Sequence, residues 1–335
     1  MGGSVPMSLE GCPKHMVMGP CGGVRADGDC ELEPRPCAFP VPERWADPVR
    51  AVPLRSVPLI VTDFTSEPYS AASHRSVAAI LAPVSDVVLV GDHQRRPDFP
   101  PSVLAWLLQD VGARPWITLT CRDRNRVALE QELAALRELD VAAVLCVTGD
   151  GRPRTNPGAA QVFDLDGPRL TALAAAAGLS AVAAETPAAP PRSLRPYRLA
   201  QKQRAGAAAA VLNHDAVESV AGFMAGAAEA GLTIPVFAAV ALFTDERSAA
   251  AISVLPGLEL DQAAARRVLA SPDPVAAGIA HAAAEARALL RIPGIAGVNI
   301  SGLASARGYE FAARVKAELA VLVREEFGEG RDRAT

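Results

Sequence analysis

Residues 118–150 read TLTCRDRNRVALEQELAALRELDVAAVLCVTGD, and this stretch decides the fold of the 335-residue chain. It starts within an apolar run at 115–120 and contains a second apolar run at 142–147. Between the runs, leucines recur every three or four residues, which is the spacing of one helix face: Leu129, Leu133, Leu136 and Leu139. The stretch therefore predicts a strand, a helix over 127–139 and a second strand.

Similar apolar runs continue on both sides of this unit. They are short and lack polar alternation, which is typical of strands buried on both faces of a parallel sheet. Eight are present, at 59–64, 86–90, 115–120, 142–147, 179–184, 208–212, 234–240 and 296–300. Eight β-α units match the usual size of a (β/α)8 TIM barrel. The rival architecture is an open doubly wound sheet, but no G-x-G-x-x-G follows the first run, which disfavours a dinucleotide-binding fold.

Composition limits the classes of function. Half of the residues are apolar and the net charge is −4, so no basic surplus exists for binding nucleic acid. No apolar run approaches the roughly 20 residues of a membrane-spanning helix. Residues 1–20 lack the continuous apolar stretch of a signal peptide. We therefore expect a cytoplasmic protein with no membrane partner.

The cysteines divide the chain into two parts. Cys12, Cys21, Cys30 and Cys37 lie in one short segment with the spacing C-x8-C-x8-C-x6-C, and five prolines follow between residues 40 and 58. We place a cysteine-rich module and linker at 1–50 and the barrel at 51–335. In a reducing compartment, four clustered cysteines favour a tetrahedral structural metal, with Zn²⁺ ahead of an iron–sulfur cluster. The alternative is four reduced thiols in a small packed arm.

Two barrel blocks carry a family resemblance. Residues 118–150 and the VFDLD of 162–166 resemble methylenetetrahydrofolate reductases of the acetogen-like bacterial branch. RLAQKQRAGA at 198–207 and RIPGIAGVNISG at 291–302 resemble the same family more weakly. At the N-terminus, GCPKHMVMGPCGGVRADGDCE (11–31) resembles a cysteine-rich module that is often fused to these reductases.

The resemblance implies a flavoprotein that acts on a folate. The expected activity is reduction of 5,10-methylenetetrahydrofolate to 5-methyltetrahydrofolate by hydride transfer from FAD, with NAD(P)H or a reduced partner protein as electron donor. Two alternatives stay open. One is flavin-independent folate chemistry, either methylene transfer or direct reduction by a nicotinamide. The other is a non-catalytic partner subunit of a reductase. We expect either a homo-oligomer or a complex with an electron-donor subunit.

The resemblance also implies roles for individual residues. Asp63 matches a glutamate that protonates the folate as its ring opens, and Asp150 matches an aspartate beside the flavin and the pterin. Asn213 falls at a pterin-binding glutamine. The cofactor positions are Thr118, Thr120, Thr148 and Gly149 along the flavin and Lys202 near the FAD phosphates.

The sequence departs from the family on the folate side. Asp63 and Asn213 are each one methylene shorter than the residues they replace, and Ala238-Ala239-Val240 replaces a P-G-I motif. A shift of about 1 Å in a catalytic group can cost on the order of a hundredfold in rate. These departures favour a repurposed or flavin-independent member.

Overall fold

The computed structural model describes residues 11–39, 41–92, 97–151, 160–253 and 260–327. Eight parallel strands form a closed barrel in sequence order, with β8 hydrogen-bonded to β1. The strands are β1 (Ile60–Phe64), β2 (Val87–Val90), β3 (Pro115–Thr120), β4 (Ala143–Val147), β5 (Ala181–Glu185), β6 (Ala207–Leu212), β7 (Val236–Leu242) and β8 (Ile295–Gly302). The predicted (β/α)8 barrel is therefore confirmed.

The helices surround the barrel. They are α1 (Ala71–Leu81), α2 (Pro101–Gln109), α3 (Arg126–Glu138), α4 (Gly167–Ala176), α5 (Arg195–Arg204), α6 (Val217–Glu229), α7 (Glu246–Ser253), α8 (Gln262–Leu269), α9 (Pro274–Leu290) and α10 (Tyr309–Phe327). For α3 the sequence offers Asp123 or Asn125 as the N-cap, and the Asn125 side chain accepts the Ala128 N–H. None of the described helices combines the length and apolar character needed to span a membrane.

Side chains fill the barrel interior. Trp116 and Phe237 meet edge to face with ring centroids 5.3 Å apart, and both are almost fully buried. Val61 belongs to the same interior cluster. Because side chains alternate along a strand, Asp63 faces inward one layer above Val61, at the carboxyl end of the barrel.

The proline-rich arm connects the cysteine-rich module to β1. The Trp45 N–H donates to the Gln201 side chain, and the Val49 N–H donates to the Arg204 carbonyl. The arm thus follows α5 from its middle to its end. Farther along, Leu54 packs partly buried against the interior cluster, and the Pro53 carbonyl accepts from Ser180 just before β5. The arm therefore ends against the amino end of the barrel, where β1 begins.

Candidate active site

The carboxyl ends of β1 and β8 carry a hydrogen-bonded group that we call the Asp63 corner: Asp63, Asn299, Ser301 and Lys316. The Asp63 carboxylate accepts from Asn299 Nδ2 at 3.1 Å and from Ser301 Oγ at 2.6 Å. Its backbone carbonyl accepts from Lys316 Nζ at 2.7 Å. Thr62 lies opposite Ile300 in the sheet register, so the residues of β8 that flank Ile300 lie beside Asp63. The barrel closure itself therefore positions this carboxylate.

Two members of the Asp63 corner have unusual environments. Asn299 is 4% exposed, and its Oδ1 has no hydrogen-bond partner among the described residues. A buried amide oxygen without a partner is costly, which makes Asn299 an unusual residue of this corner. Burial lowers the pKa of Lys316 to about 8, although the neighbouring Asp63 carboxylate opposes that shift.

A cavity of about 220 Å³ opens at the rim beside β1, β2 and β3. Thr118, one of the predicted flavin contacts, lines this cavity, and its buried Oγ1 has no partner within the described residues. Thr120 instead donates its hydroxyl to Asp92 at 2.8 Å, and Arg124 pairs with the same carboxylate at 2.5 Å. The cavity is thus polar on its mouth side, with its cations and carboxylates paired.

The loop after β4, residues 148–151, carries the predicted Thr148, Gly149 and Asp150. Lys14 Nζ donates to the Gly149 carbonyl at 2.7 Å, and the Gly151 N–H donates to Glu31 at 3.2 Å. Burial raises the pKa of Asp150; Lys14 and Arg122 oppose this, and Glu31 adds to it. The N-terminal module, residues 11–39, therefore contacts the same loop that was predicted to line a flavin.

Thr148 and Asn213 use their side chains within the protein. Thr148 Oγ accepts the Gly167 N–H at 2.8 Å at the start of α4 and lies 3.7 Å from the Met16 sulfur. Asn213 donates to Thr186 Oγ at 2.9 Å, which joins the loops after β5 and β6. Thr148 thus closes the loop after β4 onto the start of α4, and Asn213 ties two neighbouring loops together.

Lys202 lies away from the barrel mouth, on the face of α5 that packs against β5. It is 7% exposed, pairs with Glu185 at 2.9 Å and donates to the Ala184 carbonyl. Glu185 also pairs with Arg198 at 2.7 Å and with Arg195 at 3.5 Å. Burial works against ionisation of Glu185, but the three cations outweigh it and hold its pKa near 2, while burial lowers the pKa of Lys202 to about 7. Lys202, which was predicted to reach the FAD phosphates, is therefore already paired with Glu185.

The four N-terminal cysteines line one small cavity within the module. All are free thiols. Burial raises the pKa of Cys37, and the neighbouring Cys12 and Cys30 contribute to the shift. Cys21 instead donates to Glu31 at 3.4 Å, and burial raises the pKa of its thiol to about 11. Three thiols therefore lie near one another, and the fourth is engaged by a carboxylate.

The donor chemistry suits Zn²⁺ or an iron–sulfur cluster, since both take cysteine thiolates. The described residues include no group of three or more His, Cys, Asp or Glu side chains in a metal-binding arrangement. Cys12, Cys30 and Cys37 are neighbours around one small cavity, but they are not arranged as a metal site, and Cys21 is held by Glu31. The metal site stays a prediction.

The residues predicted for FAD do not fit a flavin in this arrangement. Pockets for cofactors of that size span about 300–1,000 Å³, whereas the rim cavity is about 220 Å³. Thr118 alone among the predicted contacts lines that cavity and keeps a polar side-chain atom without a partner in the described part of the chain. The reaction proposed for this site therefore includes no step on FAD.

The sequence analysis placed its candidate residues at the carboxyl end of the barrel but missed several of their partners. Lys14 and Glu31 gave no signal because their contacts lie more than 100 residues away along the chain. The sequence analysis gave no role to Asn299 or Ser301 of β8. It also gave none to His214, which pairs with Glu285 at 2.6 Å.

Comparison with known proteins supports the two parts of the chain differently. Residues 1–47 match the family model described as methylene-tetrahydrofolate reductase C terminal. The predicted family resemblance is therefore confirmed for the N-terminal segment, which here precedes the barrel. No curated protein matches the chain.

Solved structures match the fold. One is an uncharacterized protein from Clostridium thermocellum that binds two copies of 5-methyl-5,6,7,8-tetrahydrofolic acid. It is 12% identical, with a TM-score of 0.58, over 78% of this chain and 95% of that chain. At this identity the likeness establishes a shared barrel fold.

Proposed function

We propose that this protein binds a reduced folate at the carboxyl end of its barrel and acts on the one-carbon unit of that folate. The observation that carries the proposal is the Asp63 corner. A carboxylate is held there by two neutral donors, and the buried Asn299 Oδ1 beside it lacks a partner in the described structure. A pterin presents N–H donors to such acceptors, and carboxylate and amide oxygens accept them.

The comparisons support this choice of ligand class. The N-terminal segment matches a family model named for methylenetetrahydrofolate reductase. A protein with the same fold binds 5-methyltetrahydrofolic acid, although its low identity carries no residue roles. Both observations favour a folate over other substrates of TIM barrels.

The reaction that we propose is reduction of 5,10-methylenetetrahydrofolate. Ring opening breaks the bond between the methylene carbon and N10, and a proton from Asp63 goes to N10. The electron pair of N5 forms an iminium with the methylene carbon. A hydride from an external donor then adds to that carbon and gives the 5-methyl product. Asn299 and Ser301 hold the acid in place, because both donate to its carboxylate.

A second candidate follows from the contact between the N-terminal module and residues 148–151. That contact favours folate chemistry without a bound flavin, either methylene transfer or direct reduction by a nicotinamide. It is equally suited to a partner subunit that presents a folate to a reductase. Turnover by the purified chain with NADH or NADPH alone distinguishes an enzyme from a partner subunit.

Asp63→Asn tests the acid role, because it keeps the shape of the side chain and removes the proton that it can donate. General acid catalysis contributes about 10²–10⁴-fold, so turnover of methylenetetrahydrofolate should fall by at least about a hundredfold with unchanged thermal stability. Asp63→Glu keeps an acid but moves its carboxyl by one methylene relative to Asn299 and Ser301, so it should retain part of the turnover that Asp63→Asn loses. Full activity of Asp63→Asn would sink the acid assignment.

A further inference from the structure

The N-terminal module is seated on residues 148–151 by buried polar contacts. Lys14 is 3% exposed, donates to the Gly149 carbonyl at 2.7 Å and pairs with Glu31. Glu31 in turn accepts the Gly151 N–H at 3.2 Å. A lysine is almost never fully buried without partners, so this seat is a specific interface.

Further hydrogen bonds fix the module on both flanks of that loop. On one side His15 Nδ1 lies 2.8 Å from the Phe163 carbonyl, and the Val17 N–H donates to Asp166 at 3.1 Å. On the other side the fully buried Arg195 donates to the carbonyls of Pro20 at 3.0 Å and Cys21 at 2.8 Å. The module therefore spans the loops after β4 and β5.

The approach of the two surfaces leaves no space for a ring system between them. A methyl group added at Gly151 would overlap the Leu32 side chain. One added at Gly22 would lie 3.2 Å from Thr186 Oγ. At Gly151 the overlapping atom is the end of the flexible Leu32 side chain, and at Gly22 the Thr186 hydroxyl would have to give way by a few tenths of an ångström. A planar cofactor lying on residues 148–151 requires the module to move away.

Within the described residues, the groups that could hold a dinucleotide on this side are also engaged. A diphosphate is bound by cations or by free backbone N–H groups. On α5, Arg195, Arg198 and Lys202 all pair with Glu185 behind the strand. At the loop, the Gly151 N–H is already donated to Glu31. In the described part of the chain, the loop at 148–151 and the three α5 cations are therefore already in contact with other groups of the protein.

We propose that the cysteine-rich module forms a permanent wall of the barrel mouth, in the place that the family resemblance assigns to a flavin. The chain takes up its folate on the open side, near Asp63, and holds no flavin of its own. This inference rests on the proposed function only in treating the mouth as a folate site. Electrons for any reduction then arrive from a soluble donor or from a partner protein.

The test titrates the full-length protein in parallel with FAD, FMN and 5-methyltetrahydrofolate by equilibrium dialysis. Folate binding without saturable flavin binding below about 0.1 mM supports both proposals. One flavin per chain overturns the wall, whether or not folate binds. Binding of neither ligand leaves the wall supported and contradicts the proposed function, so the two failures are distinguishable.

Hydrogen exchange tests the seat itself without reference to any ligand. The amide of Gly151 should be protected in the wild-type protein, and Glu31→Ala should raise its exchange at least about tenfold, since local opening becomes easier. Glu33→Ala is the matched control, because Glu33 pairs with Arg35 on the exposed face of the module. An unprotected Gly151 in the wild type, or equal exchange in the two variants, overturns the proposal.

Discussion

Glu185→Gln tests how the barrel stabilises α5 and the module that rests on it. The Glu185 side chain is 1% exposed and faces Arg195, Arg198 and Lys202. The substitution keeps the size of the side chain and leaves three buried cations without their carboxylate. Removing one partner of a buried ionic network typically costs about 3–5 kcal/mol.

The pKa of Glu185 gives an independent magnitude. Lowering it from 4.5 to about 2 corresponds to about 3 kcal/mol of preference for the ionised form. A chain of this length has an unfolding entropy of about 0.7 kcal/mol per kelvin. Glu185→Gln should therefore lower the melting temperature at pH 7 by about 4 °C, measured by calorimetry.

The matched control is Asp140→Asn, since Asp140 pairs with Arg55 and both side chains are about two-thirds exposed. Exposed pairs contribute little, so the control should melt with the wild type. The difference between wild type and Glu185→Gln also has a defined pH dependence. Because the pKa of Glu185 is lower in the folded protein than in the unfolded chain, the carboxylate stabilises the fold fully above about pH 4.5. This stabilisation is lost as the pH falls from about 4.5 to 2. Equal melting temperatures at pH 7 would refute the reasoning.

Three other predictions concern separate parts of the protein. Asn299→Ala removes both the donor to Asp63 and the buried acceptor. Calorimetric titration should show 5-methyltetrahydrofolate binding weakened about tenfold, or by about 1.4 kcal/mol. Unchanged affinity contradicts this prediction. The pKa of Lys316 in the folded protein is about 8, below its ordinary 10.5. Urea unfolding should therefore show the wild type gaining stability over Lys316→Met as the pH rises from about 8 to 10.5. A difference in unfolding free energy that does not change with pH contradicts this. The purified protein should contain one zinc per chain by atomic emission, lost in Cys30→Ser; iron with broad visible absorption indicates a cluster, and no metal contradicts both.

The barrel could be predicted because most strand residues are buried on both faces, so the strands appear as short, predominantly apolar runs. The run at 115–120 coincides with β3, and the run at 142–147 begins one residue before β4. The run at 234–240 is shifted by two residues from β7, because the apolar residues continue past the end of the predicted run. The three helices between β7 and β8 were not separated in advance, since alanine-rich sequence supports helix throughout.

The site was predictable only in outline. The family resemblance pointed to Asp63 and residues 148–150, but it gives no information on which loop another segment of the chain covers. Lys14 contacts Gly149 from 135 residues away, and no local pattern indicates such a pairing. Lys202 illustrates the other limit. Because both faces of this strand are buried, the sequence does not show that the Glu185 side chain points outward to the helices. Its ion pair with Lys202 therefore could not be predicted.

The central claim is that the barrel mouth binds a reduced folate through the Asp63 corner. Its most direct test is calorimetric titration of 5-methyltetrahydrofolate into the wild-type protein and into Ser301→Ala, which removes the 2.6 Å donor to Asp63. We expect one saturable site in the wild type and binding about tenfold weaker, or about 1.4 kcal/mol, in the variant, because the Asp63 carboxylate loses a donor that fixes its orientation for the ligand. No saturable binding to the wild type, or equal affinity of the two proteins, would contradict it.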